Sequence, residues 1–104
     1  MYEFAWTSPI LDGRLGACHA LEIAFVFDTL DLGRHQMMGG ALGETPPQQL
    51  ADTMHRAWVD FASTGEPGWQ RYDLDRRAVM RFDTSSSVVD DPYARERDLW
   101  AGVR

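Results

Sequence analysis

Tyr2-Glu3-Phe4-Ala5-Trp6-Thr7-Ser8-Pro9 opens the chain with aromatic rings at alternate positions. Successive side chains of an extended backbone point to opposite faces, so a period of two marks a strand with one aromatic face. Ser8-Pro9 ends it, because proline donates no backbone hydrogen bond and restricts the residue before it. The strand begins at once, as one taken from the middle of a larger sheet would.

The clearest element further on is a helix from Pro46 to about Ser63. Thr45 is placed to cap it, Pro46 or Pro47 suits its first turn, and Gln48 completes a capping box with Thr45. Leu50, Met54, Ala57, Trp58 and Phe61 follow the spacing of one buried helical face. Gly65 supplies a left-handed stop, and Glu66-Pro67-Gly68 a turn. Ala78 to Phe82 reads as a short strand with Ala78, Met80 and Phe82 on one side. Ser85-Ser86-Ser87 is a loop and Val88-Val89 a brief second strand. Asp91 is expected to cap a last helix opened by Pro92, with Tyr93, Leu99, Trp100 and Val103 on its apolar side. Ala20 to Leu30 fits a short helix or a buried strand, and the helix is preferred. Residues 31 to 45, with Gly33, Gly39, Gly40 and Gly43, read as a mobile loop, and Met37-Met38 as filler within it.

The 104 residues suffice for one compact domain, 1–104. The net charge is −6, and every basic residue is an arginine. That balance excludes a phosphate-binding surface, so no nucleic acid partner is expected. A single cysteine, Cys18, rules out an intrachain disulfide and a cysteine-rich zinc site. It fits a reducing compartment, so the cytoplasm is expected, with secretion left open for an intact enzyme. No signal peptide is visible. The longest apolar run, Ile23 to Phe27, is far below the ~20 residues that cross a bilayer.

The chemistry sits in Gly16-Ala17-Cys18-His19-Ala20-Leu21-Glu22-Ile23-Ala24-Phe25-Val26-Phe27. One histidine stands on a small-residue loop just before an apolar stretch. Its ordinary pKa of about 6.5 suits a general base that takes a proton and gives it back. A lone histidine is more often structural, so spacing alone does not assign it. Glu22 lies three residues on, either holding the loop by hydrogen bonds or serving as a plain surface charge. Cys18 is a small buried filler, because adjacent residues point in different directions and a thiol–imidazole pair is not formed that way. His19, His35 and His55 are separated by 16 and 20 residues, which matches no ligand motif, so no metal or other cofactor is expected.

Read in order, these stretches resemble the C-terminal portion of type B carboxylesterases, the family of para-nitrobenzyl esterases and cholinesterases. Tyr2 to Pro9 is similar to that family's last sheet strand, and Gly16 to Glu22 to the segment with its catalytic histidine. Met54-His55-Arg56-Ala57-Trp58-Val59-Asp60-Phe61-Ala62-Ser63-Thr64-Gly65-Glu66-Pro67 resembles its long helix and the turn beyond. Met80-Arg81-Phe82-Asp83 and Asp90-Asp91-Pro92 resemble the closing strand and tail.

The resemblance implies an α/β fold, α+β if this piece stands alone, built of short strands, a long amphipathic helix and a C-terminal helix. It implies a serine hydrolase acting on a small carboxylic ester, with a triad in the order Ser, Asp or Glu, then His. His19 takes the last place. Ser8, Ser63, Ser85, Ser86 and Ser87 all lack the G-x-S-x-G surround of the nucleophile. The nucleophile and the acid would therefore come from another stretch of polypeptide. Two expectations follow: the chain supplies the histidine of an ester hydrolase, or it persists as an inactive folded module. In either case a homo-oligomer or a complementing N-terminal fragment is expected, since a strand designed for burial would otherwise expose an adhesive edge.

Overall fold

The computed structural model describes residues 1–35 and 40–103, with side chains outside 33–35. Met37-Met38, Gly39 and the His35 side chain thus lie outside the described residues. Three strands form one sheet: β1 (Tyr2–Phe4), β2 (Ala78–Phe82) and β3 (Ser87–Asp90), in the order β1-β2-β3. β1 runs parallel to β2, with Tyr2 opposite Met80 and Phe4 opposite Phe82. β2 and β3 are antiparallel, Ala78 opposite Asp90 and Arg81 opposite Ser87. Their turn is closed by Asp83 and Ser86: the Thr84 N–H donates to Asp83 Oδ1 at 2.7 Å and Ser86 Oγ to the Asp83 carbonyl at 3.0 Å.

The aromatic face of β1 looks onto helices. Phe4 and Trp6 meet Phe25 with ring centroids 5.4 and 5.1 Å apart, and Tyr2 meets Trp58 edge-on at 4.8 Å. On β2, Phe82 is buried toward α3, where it meets Trp58, while the opposite face buries Val79 and leaves Arg81 exposed. Ala78 and Phe82 are buried and Met80 packs against the core, on the side where the three were expected together.

The apolar stretch after His19 does not make one helix. It makes α1 (Ile23–Val26) and α2 (Leu30–His35). Between them Asp28 has φ of 50°, and this left-handed residue breaks the helical path. The expected loop over 31–45 is corrected accordingly: α2 occupies its start, and its described end, Gly40–Gly43, is a turn closed by Gly43 N–H to the Gly40 carbonyl at 2.9 Å.

The long helix α3 (Gln48–Thr64) buries Leu50, Ala51, Met54 and Ala57. Phe61, expected on that face, is exposed near the helix end, beside a cavity of about 350 Å³ that Trp58 and Trp69 also line. Gly65 ends the helix in the left-handed conformation, φ 82°, its N–H bonded to the Phe61 carbonyl at 2.8 Å. The capping box does not form. Pro47 is the N-cap, and Gln48 turns its amide to Asp28 and Asp52 at 2.7 and 2.9 Å. Asp91 likewise does not cap the last helix, α4 (Ala94–Leu99); its carboxylate takes Arg97 at 2.8 Å. Tyr93, Leu99, Trp100 and Val103 are exposed, so the apolar side expected there faces solvent.

Candidate active site

The His19 loop hangs between two anchors. At its far end Leu21 is buried, and its N–H donates to the Cys18 carbonyl at 3.2 Å, closing a turn with His19 and Ala20 at its tip. Ala20 holds φ of 63°, a conformation that glycine usually fills and that persists in other residues only when the surroundings hold it. Cys18 packs half-buried against the core cluster. Between these two inward residues the His19 ring is exposed, and none of the described residues hydrogen-bonds to it.

Glu22 is half-buried at the N-cap of α1 and makes no side-chain capping bond. Its carbonyl starts α1, accepting the Phe25 and Val26 N–H groups at 3.0 and 2.9 Å. The three histidines do not come together. His55 lies on α3 with Nδ1 2.9 Å from the Val26 carbonyl, so its ring ties α3 to α1. Among the described residues no three His, Cys, Asp or Glu side chains are grouped to hold a metal ion. None of the described helices is long and apolar enough to cross a membrane.

The serines are accounted for separately. Ser63 Oγ donates back to the Val59 carbonyl along α3 at 2.8 Å. Ser8 is fully buried, and its Oγ donates to the Ala41 carbonyl at 2.6 Å while accepting the Ile10 N–H at 3.2 Å. Sequence reasoning treated Ser8 as a strand end. The signal lay in the alternation itself: Tyr2, Phe4, Trp6 and Ser8 share one face, so a hydroxyl was due to point inward. A buried hydroxyl needs a partner.

Ionisable groups with shifted pKa values lie on other parts of the surface. The Asp73 carboxyl is held below its ordinary value first by the Arg76 backbone N–H and then by that of Asp75. The Arg76 guanidinium is raised by its hydrogen bonds to Asp90. Both act in the entry to the β2–β3 hairpin.

No family model matches the chain. It is 33% identical to the para-nitrobenzyl esterase of Bacillus subtilis over 93% of its own length and 20% of that enzyme. It is 32% identical to the phenmedipham hydrolase of Pseudarthrobacter oxydans, over 90% of its length and 20% of that enzyme. Among solved structures, the Geobacillus stearothermophilus carboxylesterase superposes with a TM-score of 0.72 at 40% identity, over 96% of this chain and 21% of that one. The chain thus spans about a fifth of the length of the curated relatives it matches.

Proposed function

Because the chain is homologous over nearly its whole length to a stretch of the carboxylesterases, an α/β-hydrolase family, we propose that it is the histidine-bearing part of a carboxylic ester hydrolase. His19 is the general base. It takes the proton of a serine hydroxyl as that oxygen attacks the ester carbonyl, then gives the proton to the departing alkoxide. The serine and the carboxylate that orients the imidazolium come from polypeptide outside these 104 residues. Glu22 is the candidate for steadying the loop behind the ring. The substrate class is a small carboxylic ester, the kind that the name para-nitrobenzyl esterase describes.

One observation supports this reading above the others. The ring stands exposed at the tip of an anchored turn, with no described partner competing for its nitrogens. The described serines do not compete for it either. Ser8 is buried and Ser63 is bonded within its own helix, and Ser85 to Ser87 belong to the β2–β3 hairpin. By itself the chain is therefore expected to be inert, and to meet its missing layer as a complementing fragment or a second copy.

The test replaces the matching fifth of the Bacillus subtilis enzyme with this chain. The chimera is expected to hydrolyse a para-nitrobenzyl ester well above the buffer rate, while the 104-residue chain alone matches buffer. A chimera that melts cooperatively but stays at the buffer rate would sink the proposal.

A further inference from the structure

We propose that Ser8 is a positioning residue for His19, its buried hydroxyl anchoring the backbone whose N–H holds the start of the loop on which the imidazole stands. This rests on the ester-hydrolase reading of His19 and adds what fixes the ring in space.

Ser8 is the buried polar side chain of the described core. A hydroxyl taken out of water costs free energy unless it is bonded, and this one is bonded twice. Its Oγ donates to the Ala41 carbonyl at 2.6 Å and accepts the Ile10 N–H at 3.2 Å. The Ser8 N–H donates to the Gly16 carbonyl at 3.1 Å. One residue thus joins the segment leaving β1, the Gly40–Gly43 turn and the start of the His19 loop. Pro9 tightens the joint, because a Cβ on Gly43 would stand 2.6 Å from Pro9 Cγ. The pyrrolidine ring presses directly on that turn.

The His19 loop is therefore fixed at Gly16 by Ser8 and at Leu21 by the core. Ala20, at φ 63°, is held in a conformation that relaxes once either end is released. Loss of the hydroxyl leaves the Ala41 carbonyl unpaired in the interior and loosens the Ser8 backbone, whose N–H holds the Gly16 end. A general base acts only within hydrogen-bond reach of its proton, and a misplacement of about 1 Å can cost about a hundredfold in rate. A loop of small residues has no bulk of its own to keep that tolerance. Ser8 supplies it from the core.

The experiment uses the 104-residue chain and reads two probes by NMR: hydrogen exchange of the Leu21 amide and the order of the His19 Cε1–H bond. Val79→Ala serves as the control, since Val79 is buried on the β2 face opposite Phe82, outside the core cluster that holds Leu21, and its truncation lowers stability without touching the loop. Ser8→Ala is expected to speed Leu21 exchange about tenfold beyond Val79→Ala and to lower the His19 order. Ser8→Thr, which restores a hydroxyl, is expected to recover both. Probes in Ser8→Ala that match Val79→Ala overturn the proposal. Should Ser8→Ala not fold, Pro9→Ala keeps the hydroxyl and removes the wedge. It is expected to loosen the same two probes, and unchanged probes there overturn the proposal equally. Neither probe reads ester hydrolysis. An inert chimera with a Ser8-dependent loop refutes the esterase reading alone, and an active chimera with a Ser8-independent loop refutes this one alone.

Discussion

Tyr93 shows how one residue's ionisation is tied to the sheet. Its phenol is raised above the ordinary value by a hydrogen bond to the Glu3 carboxylate on β1, with burial and the Glu3 charge adding to it. Arg81 Nε lies 3.7 Å from the same carboxylate. A pKa raised on folding contributes stability that is complete below the unfolded value of about 10 and is lost as pH rises through the folded one. Tyr93 is therefore expected to ionise above pH ~10 in a phenolate absorbance titration, and Glu3→Gln to bring it back toward the ordinary value. A Tyr93 that titrates at or below that value in the unaltered chain contradicts the contact. Asp73 gives the opposite sign. Its depressed carboxyl stabilises the 73–76 turn above the carboxylate range, and that contribution is lost as pH falls through the folded value. Neither shift was legible in the sequence. Glu3 and Tyr93 are joined only by the parallel pairing of β1 with β2 and the return of the chain after β3. Ser8 was half legible: the alternation aimed it inward, but its partner, Ala41, stands 33 residues away.

At the scale of elements, local physics predicted well where one face of one element decided the outcome. The α3 face was read from its spacing, and Gly65 from the need for a residue at positive φ. Met54 is fully buried in that face. Met54→Ala is expected to cost about 2–5 kcal/mol in urea unfolding at an unchanged denaturant slope. A loss below about 0.5 kcal/mol would show that α3 is not packed as described. Gly65→Ala is expected to cost about 1 kcal/mol for forcing a side chain into the left-handed region, and an unchanged midpoint would contradict the cap geometry. Prediction failed where two local signals competed. Thr45 suited the N-cap and Pro46 or Pro47 the first turn, but the helix starts after Pro47, and Gln48 bonds to Asp28 and Asp52 in place of a capping partner. The break at Asp28 was hidden for a similar reason. An aspartate tolerates positive φ but does not announce it. The α4 residues are periodic, yet their apolar side has nothing to pack on among the described residues.

Across the whole molecule, that unpacked surface is the common theme. Met80 N–H bonds to the Met1 carbonyl and Ala5 N–H to the Phe82 carbonyl. In a parallel ladder these bonds turn the backbone groups of Tyr2 and Phe4 away from β2, toward the open side of the sheet. Phe27, Leu99 and Trp100 are each about two-thirds or more exposed. A strand edge unpaired among the described residues, together with exposed apolar side chains, favours association. At micromolar concentration the chain alone is expected to elute as a dimer or larger species by size exclusion with light scattering; a clean monomer would contradict this. The α/β character was legible because the aromatic strand and the long helix each carry one unmistakable period. The site was legible only in part. A histidine's setting depends on contacts that spacing does not encode, and the serine and carboxylate proposed to act with it have no counterpart among the motifs of these 104 residues. The most direct measurement is the kcat of the chimera with His19→Ala. The account predicts a fall of about 10⁴-fold or more with KM little changed, as for loss of a triad member. A His19→Ala chimera that keeps its kcat within about threefold, a cost under about 1 kcal/mol, would remove His19 from the reaction.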